Sequence, residues 1–339
     1  MSMFILFFIL IFFTCYFSLR IFIYLSYKLK FNIDNKNPNY SLNPTPTSSG
    51  IVLFFLFIFF LYLAIYLKVP NYFELFDQKI PNNFWVLLVS LTILVLLSFI
   101  DDLKSIDPII RIFFQGFLIF FSTTTLNTTE IDLPYKLILF LVIITWIYIT
   151  NIINFLDGSD GFLGIIMFFF WMNIFLINYF FDISTFSSIL SLIIIPIILS
   201  FLILNYSPAK IFMGDSGSIF FGILTGFAFL EIIIQGYYLL GLALISYPLV
   251  DCSITIIKKL KKGYMPWVGL YDYFYLIPPL RSKKNHKKVF FVILILNIIN
   301  SSIIFFSLSF NIKATLLITY IFSLIVILIF KNVKIENYI

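Results

Sequence analysis

Charged residues are scarce in this sequence. Asp, Glu, Lys and Arg make up 11% of its 339 residues, whereas 61% of the residues are hydrophobic and the mean hydropathy is +1.07. A soluble globular protein has about 25% charged residues, so most of this chain cannot face water. The scarcity of charge predicts an integral membrane protein and excludes a large soluble domain.

Cysteine and histidine are also rare. The two cysteines lie far apart in apolar runs and there is one histidine, so neither a disulfide nor a zinc site is expected. The motifs of P-loop proteins, serine hydrolases and zinc proteases are missing. The polar groups that remain are carboxylates, a few amides and scattered bases, which suit Mg²⁺ and a diphosphate.

Long apolar runs make up most of the sequence. Eleven runs are long enough to cross a bilayer, and they predict an all-α polytopic membrane protein with a single domain over residues 1–339. The predicted helices cover residues 3–26, 50–67, 83–100, 109–126, 135–153, 162–181, 185–204, 218–234, 237–257, 289–310 and 314–330.

Lysine and arginine are distributed unevenly between the two faces that this helix order defines. Seventeen of the 22 lie on the face of the odd-numbered connections, only Lys68, Lys79, Lys136 and Lys313 lie on the other, and Arg20 lies near the end of the first helix. Cytoplasmic loops carry an excess of basic residues, so the odd-numbered connections are predicted to be cytoplasmic. Almost all the chemically capable polar residues fall in the same connections, which predicts one catalytic site on that face.

The third predicted helix ends in the pair Asp101 and Asp102. Two adjacent carboxylates are costly in lipid, so they must meet water, a cation or a base. Farther on, Asp107 and Arg111 are four residues apart. Arg111 could form a helix-end ion pair with Asp107 or bind a phosphate with its guanidinium group, and the sequence leaves both open.

The fifth predicted helix ends in a polar stretch, residues 151–161. Asn151, Asn154 and Asp157 are three residues apart, which predicts one shared helix face. Asp160 follows in a turn with two glycines, which allow unusual backbone dihedrals. Polar clusters at the membrane are usually functional, so this stretch is predicted to form part of a site.

Three further connections contain candidate residues. In the seventh, Asp215 stands between glycines just before a helix. It could hold a hard cation, and the N–H groups at the start of the helix could bind a phosphate oxygen. Alternatively, the segment is a plain turn. In the ninth, residues 258–288, His286 is either solvated or in contact with an anionic ligand, and the aromatic stretch 267–275 could lie in the membrane interface. The turn-rich stretch 43–50 of the first connection is either a hydrogen-bonding element of the site or an ordinary loop.

Taken in order, the stretches 101–115, 151–161 and 205–218 resemble those of the polyprenyl-phosphate N-acetylhexosamine-1-phosphate transferases, a family that includes the phospho-MurNAc-pentapeptide transferase. The resemblance covers about residues 34–289. It implies an enzyme of the bacterial inner membrane that moves a sugar 1-phosphate from a UDP-amino sugar to polyprenyl phosphate and releases UMP. It also implies Mg²⁺ as cofactor, with Mn²⁺ as a substitute, contact with membrane lipids, and no nucleic acid partner; a homodimer is compatible with it.

The resemblance further implies roles for individual residues. Asp215 resembles the metal ligand, and Asp101 and Asp102 resemble the aspartate pair near the metal and the acceptor phosphate. The residues that resemble the donor-binding and catalytic face are Asn151, Asn154, Asp157 and Asp160. Further substrate contacts are assigned to Arg111, Lys210, Lys283 and His286.

Two connections depart from the family pattern. Ser41 and Thr47 stand where relatives often have a histidine and an arginine, and His286 stands alone where relatives often have several histidines. Asp251 followed by Lys258, Lys259 and Gly263 resembles the branch of the family that starts an O-antigen, a capsule or a related surface glycan, and the departures leave the sugar open. The alternatives are the pentapeptide transferase, a multispanning transporter with carboxylates along its path, and an inactive relative that acts as a scaffold.

Overall fold

The protein is a bundle of membrane-length helices. The computed structural model describes residues 2–34, 44–66, 80–126, 134–181, 183, 185–268, 272–282, 285–308 and 312–333. In these ranges nine helices are long and apolar enough to cross a membrane, and the predicted all-α membrane fold is confirmed. One bent helix pair and the shorter α2 bring the described helices to the predicted eleven crossings if each crosses once.

The helices follow the predicted apolar runs in order. They are α1 (Ser2–Leu29), α2 (Gly50–Tyr66), α3 (Phe84–Leu103), α4 (Pro108–Ser122), α5 (Tyr135–Phe155), α6 (Phe162–Phe181), α7 (Phe186–Asn205), α8 (Gly214–Ile234), α9 (Tyr238–Leu244), α10 (Ser246–Lys261), α11 (Ile277–Arg281), α12 (Asn285–Leu308) and α13 (Ile312–Lys331). Between α1 and α2, the two-residue strands β1 (Ile33–Asp34) and β2 (Thr45–Pro46) pair antiparallel.

The run predicted as a single helix at 237–257 is two helices, so that prediction is wrong. α9 and α10 are bent by 75° relative to each other, with Ile245 between them. Pro248 lies in the first turn of α10, and a proline ring clashes with the carbonyl four residues earlier in a continuous helix. At the break, the hydroxyl of Ser246 lies 3.3 Å from the amide of Asn300 and 3.4 Å from the hydroxyl of Ser323, which ties it to α12 and α13.

Helices α7 and α8 form the centre of the bundle and are the most buried of the membrane-length helices. α8 packs against α5, α3 and α2, and α7 packs against α6 and α1. At the periphery, α1 and α4 expose phenylalanine and isoleucine side chains, as a lipid-facing surface does. The ends of α3 and α5 and the start of α8 are thereby brought together at one end of the bundle.

The start of α2 crosses the start of α8 at two glycines. A Cβ atom added to Gly50 would lie 2.0 Å from the backbone nitrogen of Gly217. Beside this crossing, the N–H groups of Ser49 and Gly50 donate to the carbonyls of Phe212 and Met213, at 3.2 and 2.9 Å. The glycines therefore allow the first connection to pack directly against the segment that leads into α8.

Replacing Gly50 with alanine is expected to destabilise the protein, because the added methyl group would meet backbone atoms. Overpacking of this kind costs about 1–3 kcal/mol, or more when the backbone must move. Gly116→Ala is the matched control, since its Cβ would meet only the Cδ1 atom of Ile147 at 3.4 Å. In thermal unfolding of detergent-purified protein, G50A should melt below wild type and G116A should not. Equal melting temperatures for wild type and G50A would contradict the close crossing.

Candidate active site

Most of the predicted site residues lie at one end of the bundle. They come from the end of α3, the start of α4, the end of α5 with its following loop, and the start of α8. These helices pack against one another, so residues as far apart as 114 positions in the sequence form direct hydrogen bonds.

Arg111 connects two of the predicted carboxylates. One of its terminal nitrogens, Nη1, donates to Asp101 and, at 2.6 Å, to Asp215. The alternative ion pair with Asp107 is not formed, because the Asp107 side chain caps α4 by accepting from the N–H of Ile109 at 2.8 Å. The guanidinium group thus pairs with carboxylates of other helices rather than with Asp107 at the start of its own helix. The group formed by Asp101, Asp102, Asp157 and Asp215 is called the carboxylate cluster below.

Asp102 caps the N-terminus of α8. Its carboxylate accepts hydrogen bonds from the N–H groups of Asp215 and Ser216, at 2.8 and 3.2 Å, and from the Ser216 hydroxyl at 2.8 Å. The first N–H groups of a helix have no partner within the helix and carry partial positive charge, so a carboxylate is stabilised there. The N–H groups of Asp215 and Ser216 are thus occupied by Asp102 rather than open to a phosphate oxygen. Asp215 itself lies inside the first turn of α8 rather than before it.

The first connection reaches the same place, so of its two interpretations the structure favours the hydrogen-bonding one. Ser48 donates a hydrogen bond to Asp102. Gly214 has a φ of 75°, and a Cβ there would lie 2.8 Å both from Asp102 Oδ2 and from the backbone nitrogen of Ser48. Only glycine fits such a position without strain. Thr47 donates its N–H to the carbonyl of Asn32 at 3.0 Å, and Ser41 lies outside the described residues.

The polar stretch after α5 does not form one helix face. α5 ends at Phe155, so Asp157 lies beyond the helix and the predicted three-residue stripe is wrong. Asn151 donates to the Oε1 atom of Gln115 at 2.7 Å and thereby joins α5 to α4. Asn154 is half-buried in the last turn, and its side chain forms no hydrogen bond with the described residues.

Asp157 joins the carboxylate cluster from the loop. The N–H of Gly214 donates to it, which places it beside the start of α8. Burial, together with the carboxylates of Asp215 and Asp102, raises the pKa of Asp157 to about 7. The cause is electrostatic, because the charged form loses hydration and meets charges of the same sign.

Asp160 and His286 form a second, buried group in the same loop region. The Nδ1 atom of His286 lies 2.8 Å from the Ser159 hydroxyl and 3.3 Å from the backbone nitrogen of Asp160. Asp160 Oδ1 lies 3.9 Å from the same ring nitrogen, and Oδ2 accepts from the N–H of Ala209 at 3.2 Å. His286 is therefore buried against the loop and is not solvated.

The two remaining predicted contacts are Lys210 and Lys283. Lys210, which follows Ala209, is exposed, and Lys283 lies outside the described residues. Asn205 connects the loop after α5 to the loop before α8: its side-chain oxygen accepts from the N–H of Gly161 at 2.9 Å and its amide donates to Ile211 at 2.8 Å.

Asp251, which the sequence did not mark as a site residue, anchors the ninth connection. Fully buried, it accepts from the N–H groups of Phe274 and Tyr275, at 3.0 and 3.2 Å, and from the Tyr247 hydroxyl at 2.8 Å. The Tyr275 hydroxyl in turn donates to the carbonyl of Phe155 at 2.9 Å. Residues 273–276 of the aromatic stretch are therefore buried within the protein. A carboxylate within an apolar run was the signal that could have indicated this anchor.

The carboxylate cluster has an excess of negative charge. It contains Asp101, Asp102, Asp157 and Asp215, and within the described ranges Arg111 alone forms ion pairs with them. In the same ranges no three His, Cys, Asp or Glu side chains are arranged around a common metal position. Mg²⁺ is usually held by one or two carboxylates with water and substrate phosphates, so these residues fit that kind of site and not a cage made only of protein ligands.

An apolar groove of about 460 Å³ opens beside the cluster, between α4, α5 and the segment formed by α10 and the residues after it. Its lining is mainly aliphatic and aromatic, including Ile144, Ile147 and Ile256. Arg111 and Asn151 also line it and belong to the polar site as well. The groove and the cluster together can accommodate a molecule that has a long apolar chain and an anionic head.

The fold and the site thus define a polytopic membrane protein with a carboxylate-rich site beside an apolar groove. Residues 84–233 match the family model described as glycosyl transferase family 4. The resemblance predicted from the sequence, to the polyprenyl-phosphate sugar-1-phosphate transferases, is confirmed. The matched segment runs from α3 to the end of α8, so it contains the whole carboxylate cluster and excludes the first and ninth connections.

Two curated relatives agree with this assignment. The chain is 26% identical over 199 residues to the probable undecaprenyl-phosphate N-acetylglucosaminyl 1-phosphate transferase of Bacillus subtilis (strain 168), covering 51% of each chain. It is 33% identical over 134 residues to the phospho-N-acetylmuramoyl-pentapeptide-transferase of Listeria innocua serovar 6a, covering 38% of this chain and 39% of the relative. The chain therefore spans about half the length of the first relative and less of the second.

Asp157→Asn is expected to stabilise the protein more at pH 8 than at pH 5. The pKa of Asp157 is about 7 in the folded protein against an ordinary value of 3.8, so folding disfavours its charged form. The contribution of this group to the free energy of unfolding should fall as the pH rises from about 4 to about 7, and then stay constant. The asparagine variant lacks this loss. The measurement is the difference in melting temperature between D157N and wild type at the two pH values, in EDTA.

Asp107→Asn is the control for the pH experiment, because it removes a carboxylate that caps α4 outside the cluster. Its melting temperature relative to wild type should change less between the two pH values. A D157N difference that is the same at pH 5 and pH 8, or that favours wild type at pH 8, would exclude a buried, repelled carboxylate at this position.

Proposed function

We propose that this protein transfers an N-acetylhexosamine 1-phosphate from a UDP-sugar to polyprenyl phosphate and releases UMP. The reaction would take place at the cytoplasmic face of a bacterial inner membrane and would start a surface polysaccharide. The observation that carries the proposal is the position of Arg111, which lines the apolar groove and binds two carboxylates of the cluster.

The groove supports a lipid as the acceptor. A polyprenyl chain is apolar and long, and the wall formed by Ile144, Ile147 and Ile256 offers it a surface within the bundle. The head group of this lipid is a phosphate, and the planar guanidinium group of Arg111 is suited to bind one. A water-soluble acceptor would have no use for such a groove.

The cluster supports a phosphate-rich donor. Four carboxylates would repel a diphosphate by themselves, so a cation has to accompany the donor. When bound, Mg²⁺ would neutralise the diphosphate and stabilise the departing UMP, and Asp215, with Asp157 close by, is the residue we assign to hold it. Asp102 would keep Asp215 in place through the start of α8, and Asp101 would orient Arg111.

In the proposed reaction, an oxygen of the lipid phosphate attacks the phosphorus that carries the sugar. The bond from this phosphorus to the bridging oxygen breaks, and UMP leaves with that oxygen and its electron pair. A phosphate monoester with a second pKa of about 6 is already largely ionised at pH 7, so the site needs in-line placement more than a strong base. The groove would place the attacking phosphate, and the cluster would place the donor.

By their names, the two curated relatives transfer different groups, an N-acetylglucosaminyl 1-phosphate and a phospho-N-acetylmuramoyl-pentapeptide. The first and ninth connections lie outside the matched segment. Ser48 of the first connection reaches Asp102 of the cluster, and His286 of the ninth contacts the loop after α5 at Ser159. We assign the choice of sugar to these connections. The pentapeptide transferase remains the second candidate function, on the strength of the second relative.

The test is release of UMP by purified protein from UDP-N-acetylhexosamines and from UDP-MurNAc-pentapeptide, with polyprenyl phosphate and Mg²⁺. We expect turnover with at least one UDP-N-acetylhexosamine, and loss of turnover in EDTA that Mg²⁺ restores. Asp215→Asn should lower the rate by about 100-fold or more, because it weakens the binding of the cation that stabilises charge in the transition state.

Asp107→Asn is the matched control for Asp215→Asn, since asparagine caps a helix about as well as aspartate and the rate should stay within about twofold of wild type. Full Mg²⁺-dependent transfer by D215N would overturn the metal assignment. Absence of UMP release with every donor would overturn the proposed function and favour a transporter or a scaffold.

A further inference from the structure

A second cavity, of about 540 Å³, lies on a different face of α10 from the groove. Four lysines line it: Lys258 and Lys259 of α10, Lys262 directly after α10, and Lys331 at the end of α13. None of its lining residues belongs to the carboxylate cluster or to the groove. It is therefore separate from the site described above.

The lysines are positioned by aromatic side chains and by helix geometry. Lys258 lies in the last turn of α10 and Lys262 caps its end, and both line the cavity. The Lys258 ammonium nitrogen lies 4.0 Å from the centre of the Phe274 ring, and that of Lys259 lies 4.6 Å from the centre of the Tyr273 ring. Such cation–π contacts hold the ammonium groups in place at the cavity wall.

The cavity carries an excess of positive charge. Asp272 is the one acidic residue among the described residues that line it. In the described ranges, Lys258, Lys262 and Lys331 form no ion pair with a carboxylate. Ammonium groups from two helices that converge on one cavity repel each other, and an anion in the cavity would relieve this repulsion.

Lysines at the ends of membrane helices also have an ordinary explanation, because they complement the helix dipole and set the topology. That explanation applies equally to Lys261, which is exposed in the last turn of α10 and does not line the cavity. It does not account for the convergence of Lys331 with the lysines of α10, whose helix is separated from α13 by more than 50 residues of sequence.

We propose that this cavity binds the phosphate group of an anionic ligand, and that this ligand is the headgroup of an anionic phospholipid. α13 is long and apolar enough to cross a membrane, and α10 is so together with α9. Both α10 and α13 end at the cavity, so we expect the cavity to lie at the level of the bilayer phosphates. Because α10 also forms a wall of the groove, a bound headgroup would fix that wall relative to α13. A soluble phosphate has the same chemistry and is distinguished by the experiment.

The test is native mass spectrometry of the full chain in neutral detergent, titrated with phosphatidylglycerol, with phosphatidylcholine of the same chain length, and with inorganic phosphate. Wild type should bind phosphatidylglycerol more tightly than phosphatidylcholine. The double variant Lys258→Gln and Lys331→Gln should weaken phosphatidylglycerol binding by about tenfold or more, since each lysine contributes to holding an anionic headgroup.

The matched control is the double variant Lys28→Gln and Lys30→Gln, which removes the same charge from exposed positions at the end of α1 and should bind as wild type does. Lys262→Gln against Lys261→Gln repeats the comparison with single, neighbouring substitutions and covers the case in which the double variant does not fold. Equal losses in cavity and control variants, or no loss in either, would overturn the proposal. Inorganic phosphate that binds as tightly as phosphatidylglycerol, and is lost in the cavity variants, would identify a soluble phosphate as the ligand and overturn the lipid as its source.

Discussion

The hydrogen bonds between Asp102 and the first turn of α8 are the interaction on which the rest of the site depends. They join the end of α3 to the start of α8, one of the two most buried helices, and Asp102 also accepts a hydrogen bond from Ser48 of the first connection. The helix start supplies unpartnered N–H groups, so a carboxylate is stable here although it lies next to other carboxylates. Gly214 makes the approach possible, because a side chain at this position would collide with Asp102. Once α3 and α8 are held in this way, Asp101, Arg111 and Asp215 come into contact.

The collection of like charges at one end of the bundle is costly and has a consequence for function. Arg111 compensates part of the charge, while Asp157 responds with a raised pKa. A structure without a role for this charge would be more stable with amides at the same positions. The cost is explained if a cation and a diphosphate complete the site, and the groove at Arg111 then supplies the lipid phosphate. Stability and activity are therefore expected to oppose each other at Asp157 and Asp215.

The sequence contains enough information for the helices but not for their pairing. Apolar length alone places eleven crossings, and what it misses, the break at Ile245, is local and follows from Pro248. Spacing along one helix fails at Asn151, Asn154 and Asp157 because the helix ends before the third of them. Proximity in sequence also suggests Asp107 as the partner of Arg111, whereas the actual partners are set by the packing of α3, α4 and α8. Tertiary packing decides which polar groups meet, and no periodicity encodes it; only the family resemblance brought Asp101 and Asp215 together in advance.

The central claim is that the apolar groove presents a lipid phosphate to the carboxylate cluster. It is tested most directly by irradiating the purified protein with a polyprenyl phosphate that carries a photoreactive group in its chain, and by mapping the adducts with mass spectrometry. We expect adducts on the groove wall at Ile144, Ile147 or Ile256, and we expect them to disappear when unlabelled polyprenyl phosphate is added in excess. Adducts confined to other faces of the bundle, or adducts in the groove that excess polyprenyl phosphate does not reduce, would contradict it.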